Sequence, residues 1–169
     1  MSVKTFEELF IYELSDIYNA EKQLLQALPK LVEAVSDNDL ANAFSGHLKE
    51  TEGQVERIER LAKLEGLTLK SQTCQAMKGL IREGDEAIAE FTEGPLRDVA
   101  IITAAQKVEH YEISGYGTLI QLAKQLGYKH AFGLLTETLS QEKGADEKLS
   151  SLATAGGINR GAQVDNLRV

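Results

Sequence analysis

"KVEHYEISGYGTLIQLAKQLG", Lys107 to Gly127, reads as a helix. Extended upstream by a turn and a half, one face carries Ile102, Ala105, Glu109, Glu112, Tyr116, Leu119, Ala123 and Leu126. The steps alternate between 3 and 4 residues, the spacing of a core-facing stripe. Two carboxylates interrupt that apolar seam at its middle. A helix that aims acids at its own core needs a reason, because a buried, unpaired carboxylate must either neutralise or find a counter-charge.

The same reading carries outward to the other long helical segments. Thr5 followed by Glu8 is a capping box that opens a first helix running to about Val35, with Pro29 inside it as a source of bending. Its stripe is Phe10, Leu14, Ile17, Glu21, Leu24, Leu28, Leu31 and Val35, and only Glu21 is charged. "SDND", Ser36 to Asp39, connects it to a second helix from about Leu40 to Glu65, closed by Gly66 in a left-handed conformation. That helix presents Leu40, Phe44, His47, Thr51 and Ile58, with Glu50 on the flank of the stripe. Between Leu67 and Gly94 the pattern weakens, and a shorter helix is expected over about Thr73–Phe91, broken or softened by Gly79 and Gly84. Pro95 opens the helix containing the quoted stretch, and Gly127 closes it. A last long helix, about Lys129–Ala153, carries Ala131, Leu135, Thr138, Glu142, Ala145, Leu149 and Leu152, again with a single acid. Two long-helix hairpins joined by a long connection predict an all-α four-helix bundle with one crossover that bears a short extra helix. One domain is expected over residues 1–155, followed by a loosely held tail over 156–169.

Depth along the helices brings the acids together. Glu21 lies 15 residues before Ser36 and Glu50 lies 14 after it; Glu112 lies 16 before Tyr128 and Glu142 lies 14 after. At ~1.5 Å of rise per residue these differences amount to a few ångströms. Four helices therefore bring one acid each to a similar height, with Glu109 one turn further along. No Lys or Arg occupies these stripes, so a bound cation is the economical counter-charge, and an oxygen-rich donor set suits iron, manganese or magnesium. Two divalent ions would balance most of the acids. The competing reading is a solvated or interface-facing acid cluster. His47 reads equally as a ligand or as a satisfied core histidine. Asp146, one turn beyond Glu142, reads equally as a ligand or as part of an exposed face. His110 points roughly 100° away from Glu109 and fits a surface role, or support of a ligand from behind, better than ligation. Tyr18, Tyr111 and Tyr116 read first as ordinary amphipathic packing with the hydroxyl hydrogen-bonded; the other reading is support of a ligand carboxylate, for which Tyr18 and Tyr116 are best placed. Cys74 and Met77 take no role.

Composition excludes several classes. The 169 residues carry a formal net charge of -8 with no Lys/Arg cluster, which argues against nucleic-acid binding. No apolar run reaches membrane-spanning length, the start has no secretory pattern, and the single Cys74 fits a reducing compartment, so a cytoplasmic protein is expected.

The blocks "DIYNAEKQLLQALPKL", "HLKETEGQVERIERL", "KVEHYEISGYGTL" and "TLSQEKGADEKL" together resemble the YciE/YciF group of bacterial stress-response proteins, within the ferritin-like superfamily. The resemblance implies a ferritin-like fold, a homodimer and a dinuclear metal site, usually iron, without an established reaction. It implies ligands from Glu21, from Glu109 or Glu112, and from Glu50 and Glu142. The family pattern of Glu-x-x-His is not met: Gly53 follows Glu50 by three, and Ala145 follows Glu142 by three. His47, the second helix-three acid and Asp146 are the substitutes on offer, giving a candidate set of Glu21, His47, Glu50, Glu109, Glu112, Glu142 and Asp146. The expected function is handling of oxygen, peroxide or iron during stress, with ferroxidase-like or peroxidase-like turnover as the enzymatic form. The alternative is a non-catalytic structural or interaction bundle, in which metal only stabilises or is absent. A weaker idea makes the short connector helix an adaptor for a partner.

Overall fold

A computed structural model describes residues 3–155 as five helices: α1 (Phe6–Ala34), α2 (Asn38–Leu64), α3 (Gln75–Glu90), α4 (Pro95–Leu126) and α5 (Lys129–Ala155). The tail expected over residues 156–169 lies outside the described residues. No strand occurs among the described residues. The three-residue link from α1 to α2 and the two-residue link from α4 to α5 force each pair into an antiparallel hairpin. The hairpins also meet one another, α2 against α5 and α1 against α4, while α3 rests on α1 and α4.

Local chemistry sets the helix ends. Thr5 and Glu8 form the reciprocal capping box that opens α1. Asp37 caps α2 by accepting from Leu40 N, so the helix begins at Asn38, two residues earlier than the sequence pattern suggests. Gly66 and Gly127 adopt the left-handed conformation, φ 67° and 76°, that ends α2 and α4. The α3 helix passes through Gly79 and Gly84 without interruption, its packing on two neighbours outweighing the low propensity of glycine.

Two polar devices tie the hairpins together. Asp98, buried in the first turn of α4, accepts from Ser36 N at 2.9 Å and Asp37 N at 3.0 Å, satisfying the link between α1 and α2. At the other end, Glu65 accepts from His130 N and Ala131 N and so caps α5. The core is built from the expected stripes, including Phe10, Leu14, Ile17 and Leu24 of α1, and Ile102, Tyr116 and Leu119 of α4. A Cβ at Gly115 would stand 3.0 Å from Ile17 Cδ1, which shows how closely α1 and α4 approach beside the buried acids.

Candidate metal centre

Each acid that interrupts a stripe is buried. Glu21 from α1, Glu109 and Glu112 from α4, and Glu142 from α5 are all enclosed, together with His47 from α2. His47, Glu109, Glu112 and Glu142 each present one ligand atom, and these four atoms lie within 4.8 Å of one another. Ligands on opposite sides of an ion bound at about 2.0–2.2 Å stand about 4.0–4.4 Å apart. Small side-chain movements would therefore let the group close around a cation. His47 Nε2 is 3.4 Å from Glu109 Oε1 and 3.8 Å from Glu142 Oε2 without a hydrogen bond to either.

The unpartnered atoms define the chemistry. Glu21 Oε2, His47 Nε2, Gln54 Oε1, Glu109 Oε2, both Glu112 oxygens and Glu142 Oε2 are buried with no hydrogen-bond partner among the described residues. Native interiors leave few such groups unsatisfied, and here they converge. Burial pushes Glu21 up to about 8, with the charge of Glu142 adding to the rise and the hydrogen bond from Tyr116 opposing it. Burial also raises Glu109 to about 8, against a hydrogen bond with Glu142 and with the charge of Glu21 contributing. Glu112 and Glu142 are driven well above the carboxylate range, chiefly by burial; the charge of Glu21 adds to the rise at Glu112, while that of His47 partly relieves Glu142. For His47, burial pulls the imidazole down, but its bond to Glu50 and the charges of Glu142 and Glu21 outweigh that and raise it. Burial and mutual repulsion thus favour protonated carboxyls over carboxylates, and a cation would reverse that preference. The donor set, four carboxylates and one imidazole with orphaned atoms, fits a divalent metal.

The remaining candidates fall outside this group of four. Glu21 adds no atom to it directly, and the Tyr116 hydroxyl donates to its carboxylate, the geometry of the supporting alternative. Tyr18 serves no such purpose: its hydroxyl donates to Glu59 Oε1 at 2.6 Å. Glu50 is 44% exposed and meets the cluster through His47 Nδ1, at 3.4 Å. Asp146 is partly buried, accepts from Gln106 Nε2 at 3.2 Å and lies 3.5 Å from the exposed His110. Gln54 escaped the sequence reading. It is fully buried and its Nε2 donates to Glu142 Oε1 at 2.5 Å, while its own oxygen stays free. Its place between Thr51 and Ile58 keeps the alternating spacing of the α2 stripe, which was the available signal. A cavity of about 810 Å³ opens between α2 and α5 and reaches His47, Glu50 and Glu109 past the small residues Gly46 and Gly144.

Fold and site define a class: an all-helical protein whose interior gathers carboxylates and an imidazole in a cluster that could hold a metal ion. The chain matches the family described as Domain of unknown function (DUF892) over residues 5–163, and it belongs to that family. Protein YciF of Escherichia coli strain K12 is 53% identical over 154 residues, spanning 90% of this chain and 93% of that protein. The crystal structure of the E. coli stress protein YciF aligns with a TM-score of 0.87, covering 89% of this chain and 96% of that one. YcfI from Rhodopseudomonas palustris shares 41% identity and aligns at a TM-score of 0.86 with the same coverage. A Xanthomonas campestris protein with 19% identity shares the fold, at a TM-score of 0.73 over 94% of this chain and 99% of its own. The likeness to the YciE/YciF group read from the four sequence blocks holds. No helix among the described residues is long and apolar enough to cross a membrane.

Proposed function

We propose that this chain is a ferritin-like di-metal carboxylate protein of the bacterial stress response. In this reading α1, α2, α4 and α5 form a four-helix bundle, and α3 lies in the crossover between α2 and α4. The bundle holds two divalent ions, iron in the first place, with manganese or magnesium as substitutes. The observation that carries the reading is the convergence of seven buried, unpartnered oxygen and nitrogen atoms from all four long helices, with no Lys or Arg atom among them. The name of the E. coli relative, a stress protein, supports the physiological setting.

His47 Nε2 and carboxylate oxygens of Glu109, Glu112 and Glu142 would hold one ion. Glu21 Oε2 and Gln54 Oε1 are the free atoms left to serve a second, sharing the carboxylates between them. Glu50 stands at the cavity between α2 and α5, where an incoming hydrated cation would meet it before His47. Asp146 lies outside the cluster and steadies Gln106. Iron held here supplies reversible one-electron chemistry toward oxygen or peroxide. The chain's own contribution is to orient Glu21 through Tyr116, to orient Glu142 through Gln54, and to exclude bulk water from the acids. The protein works in the cytoplasm as a homodimer; light scattering on the purified chain checks the dimer.

Anaerobic titration with Fe(II), followed by elemental analysis, tests the site. Two equivalents per chain are expected, with losses in Glu112→Ala and Glu142→Ala. Absence of stoichiometric binding, or metal content unchanged in both variants, overturns the reading. Iron-loaded protein that consumes no oxygen or peroxide above a Glu109→Ala/Glu112→Ala variant would assign the metal a purely stabilising role.

A further inference from the structure

Beside the metal cluster, on the side of α1 and α3, three residues form a hydrogen-bonded chain that the metal site does not use. Tyr111 donates its hydroxyl hydrogen to Asp16 Oδ2 at 2.6 Å. Cys74 Sγ lies 3.0 Å from the same phenolic oxygen. Tyr111 has one O–H and gives it to Asp16, so the thiol S–H is the donor in the sulfur–oxygen contact. The chain thus has a direction: Cys74 to Tyr111 to Asp16. Tyr111 adjoins Glu112 in α4, and Cys74 at the head of the chain is near enough for its charge to act on Glu112, so the hydrogen-bonded chain flanks a residue of the metal cluster.

Cys74 is held from several sides. Its N–H donates to Asn19 Oδ1 at 2.8 Å, its carbonyl accepts from Gln23 Nε2 at 3.0 Å, and Met77 N donates to the sulfur at 3.4 Å. The last contact caps α3, but sulfur is a poor cap compared with the oxygen of Ser, Thr or Asp. The thiol is fully buried, which shuts out dissolved reagents. The phenol of Tyr111 is the group hydrogen-bonded to its sulfur.

We propose that Tyr111 and Cys74 are a built-in one-electron donor pair for the metal centre, with Asp16 as the proton acceptor. The inference rests on the metal-centre reading above. Tyr111 gives one electron to a metal centre that oxygen or peroxide has oxidised. Its O–H bond breaks, the proton passes to the Asp16 carboxylate, and a neutral phenoxyl radical remains. Cys74 then transfers its S–H hydrogen, one proton and one electron, to that oxygen. The phenol re-forms and the oxidising equivalent rests on a buried thiyl. Asp16, only partly buried, returns its proton to solvent. The pair would drain surplus oxidising power from the centre into a position closed to other substrates.

The test uses the full chain loaded anaerobically with Fe(II), mixed with hydrogen peroxide, freeze-quenched and read by electron paramagnetic resonance. An organic radical is expected in the unaltered protein and its loss in Tyr111→Phe. In Cys74→Ala and in Cys74→Ser a phenoxyl signal should accumulate and outlive the one in the parent. Peptide mass spectrometry after the same treatment should find oxidised Cys74 in iron-loaded protein, little in metal-free protein, and little in iron-loaded Tyr111→Phe. An unchanged radical in Tyr111→Phe, or Cys74 oxidation that ignores both iron and Tyr111, overturns the proposal. Stoichiometric iron with no radical at Tyr111 overturns the donor pair alone, whereas failure to bind iron overturns the metal-centre reading beneath it.

Discussion

Glu112 has the harshest setting of the buried acids, with both oxygens unpartnered and neighbouring carboxylates around it. Replacing it with Gln removes a charge and keeps the shape. Metal-free Glu112→Gln should be more stable than the parent at pH 8, by about 1–4 kcal/mol, as when buried ionic groups are exchanged for neutral ones. Urea melts at that pH check this, and the gain should shrink in acid, where the parent is already protonated. Gln54 acts in the opposite sense. Its amide orients Glu142, and Gln54→Leu should leave the metal-free fold intact while weakening metal affinity about 10–100-fold, the usual cost of losing a residue that positions a ligand. Competition with a chelator of known affinity measures it. The acids were legible in the sequence because each broke an apolar stripe. Gln54 was not, because a neutral amide does not register as a break. Glu50 shows the limit of counting along the axis: its height matches the cluster, but its angle around α2 turns it outward and brings His47 in.

At the scale of the helices, boundaries were readable wherever the cap was a local event. Thr5, Pro95 and Gly127 mark ends that the structure retains. Asp98 was not readable, since an acid in a first turn looks like ordinary compensation of the helix dipole. Its real partners, Ser36 N and Asp37 N, lie more than sixty residues away. Asp98→Ala leaves two backbone donors without their acceptor and loosens the α1–α2 link from α4. A loss of about 1–3 kcal/mol is expected by thermal or urea unfolding. Asp98→Asn should recover part of it, because one amide oxygen still accepts.

For the whole molecule, charge and metal set the response to pH. Glu21 and Glu109 sit at about 8 in the folded chain, against the ordinary value of 4.5. Between those values the folded state holds more protons than the unfolded state, so stability must fall as pH rises through the window and level off above it. His47 shares the sign, since a base raised by folding loses its contribution as pH climbs past its folded value. The metal-free protein should therefore have a lower Tm at pH 8 than at pH 5. Metal binding displaces these protons, so affinity should rise over the same interval and the loaded protein should lose most of that dependence. Calorimetry with and without metal at both pH values tests the sign directly; a metal-free Tm that climbs between them would mean the acids are not enclosed as described.

The positions of the clustered side chains along the chain have a further consequence. His47 is made in the first hairpin, Glu109 and Glu112 some sixty residues later, and Glu142 after them in α5. A growing polypeptide leaving the ribosome can complete the first hairpin and still possess a single member of the set. Any cation that this set holds must therefore wait until the second hairpin has formed and docked. A chain interrupted before α5 would therefore lack Glu142 and could not assemble the four-membered donor set.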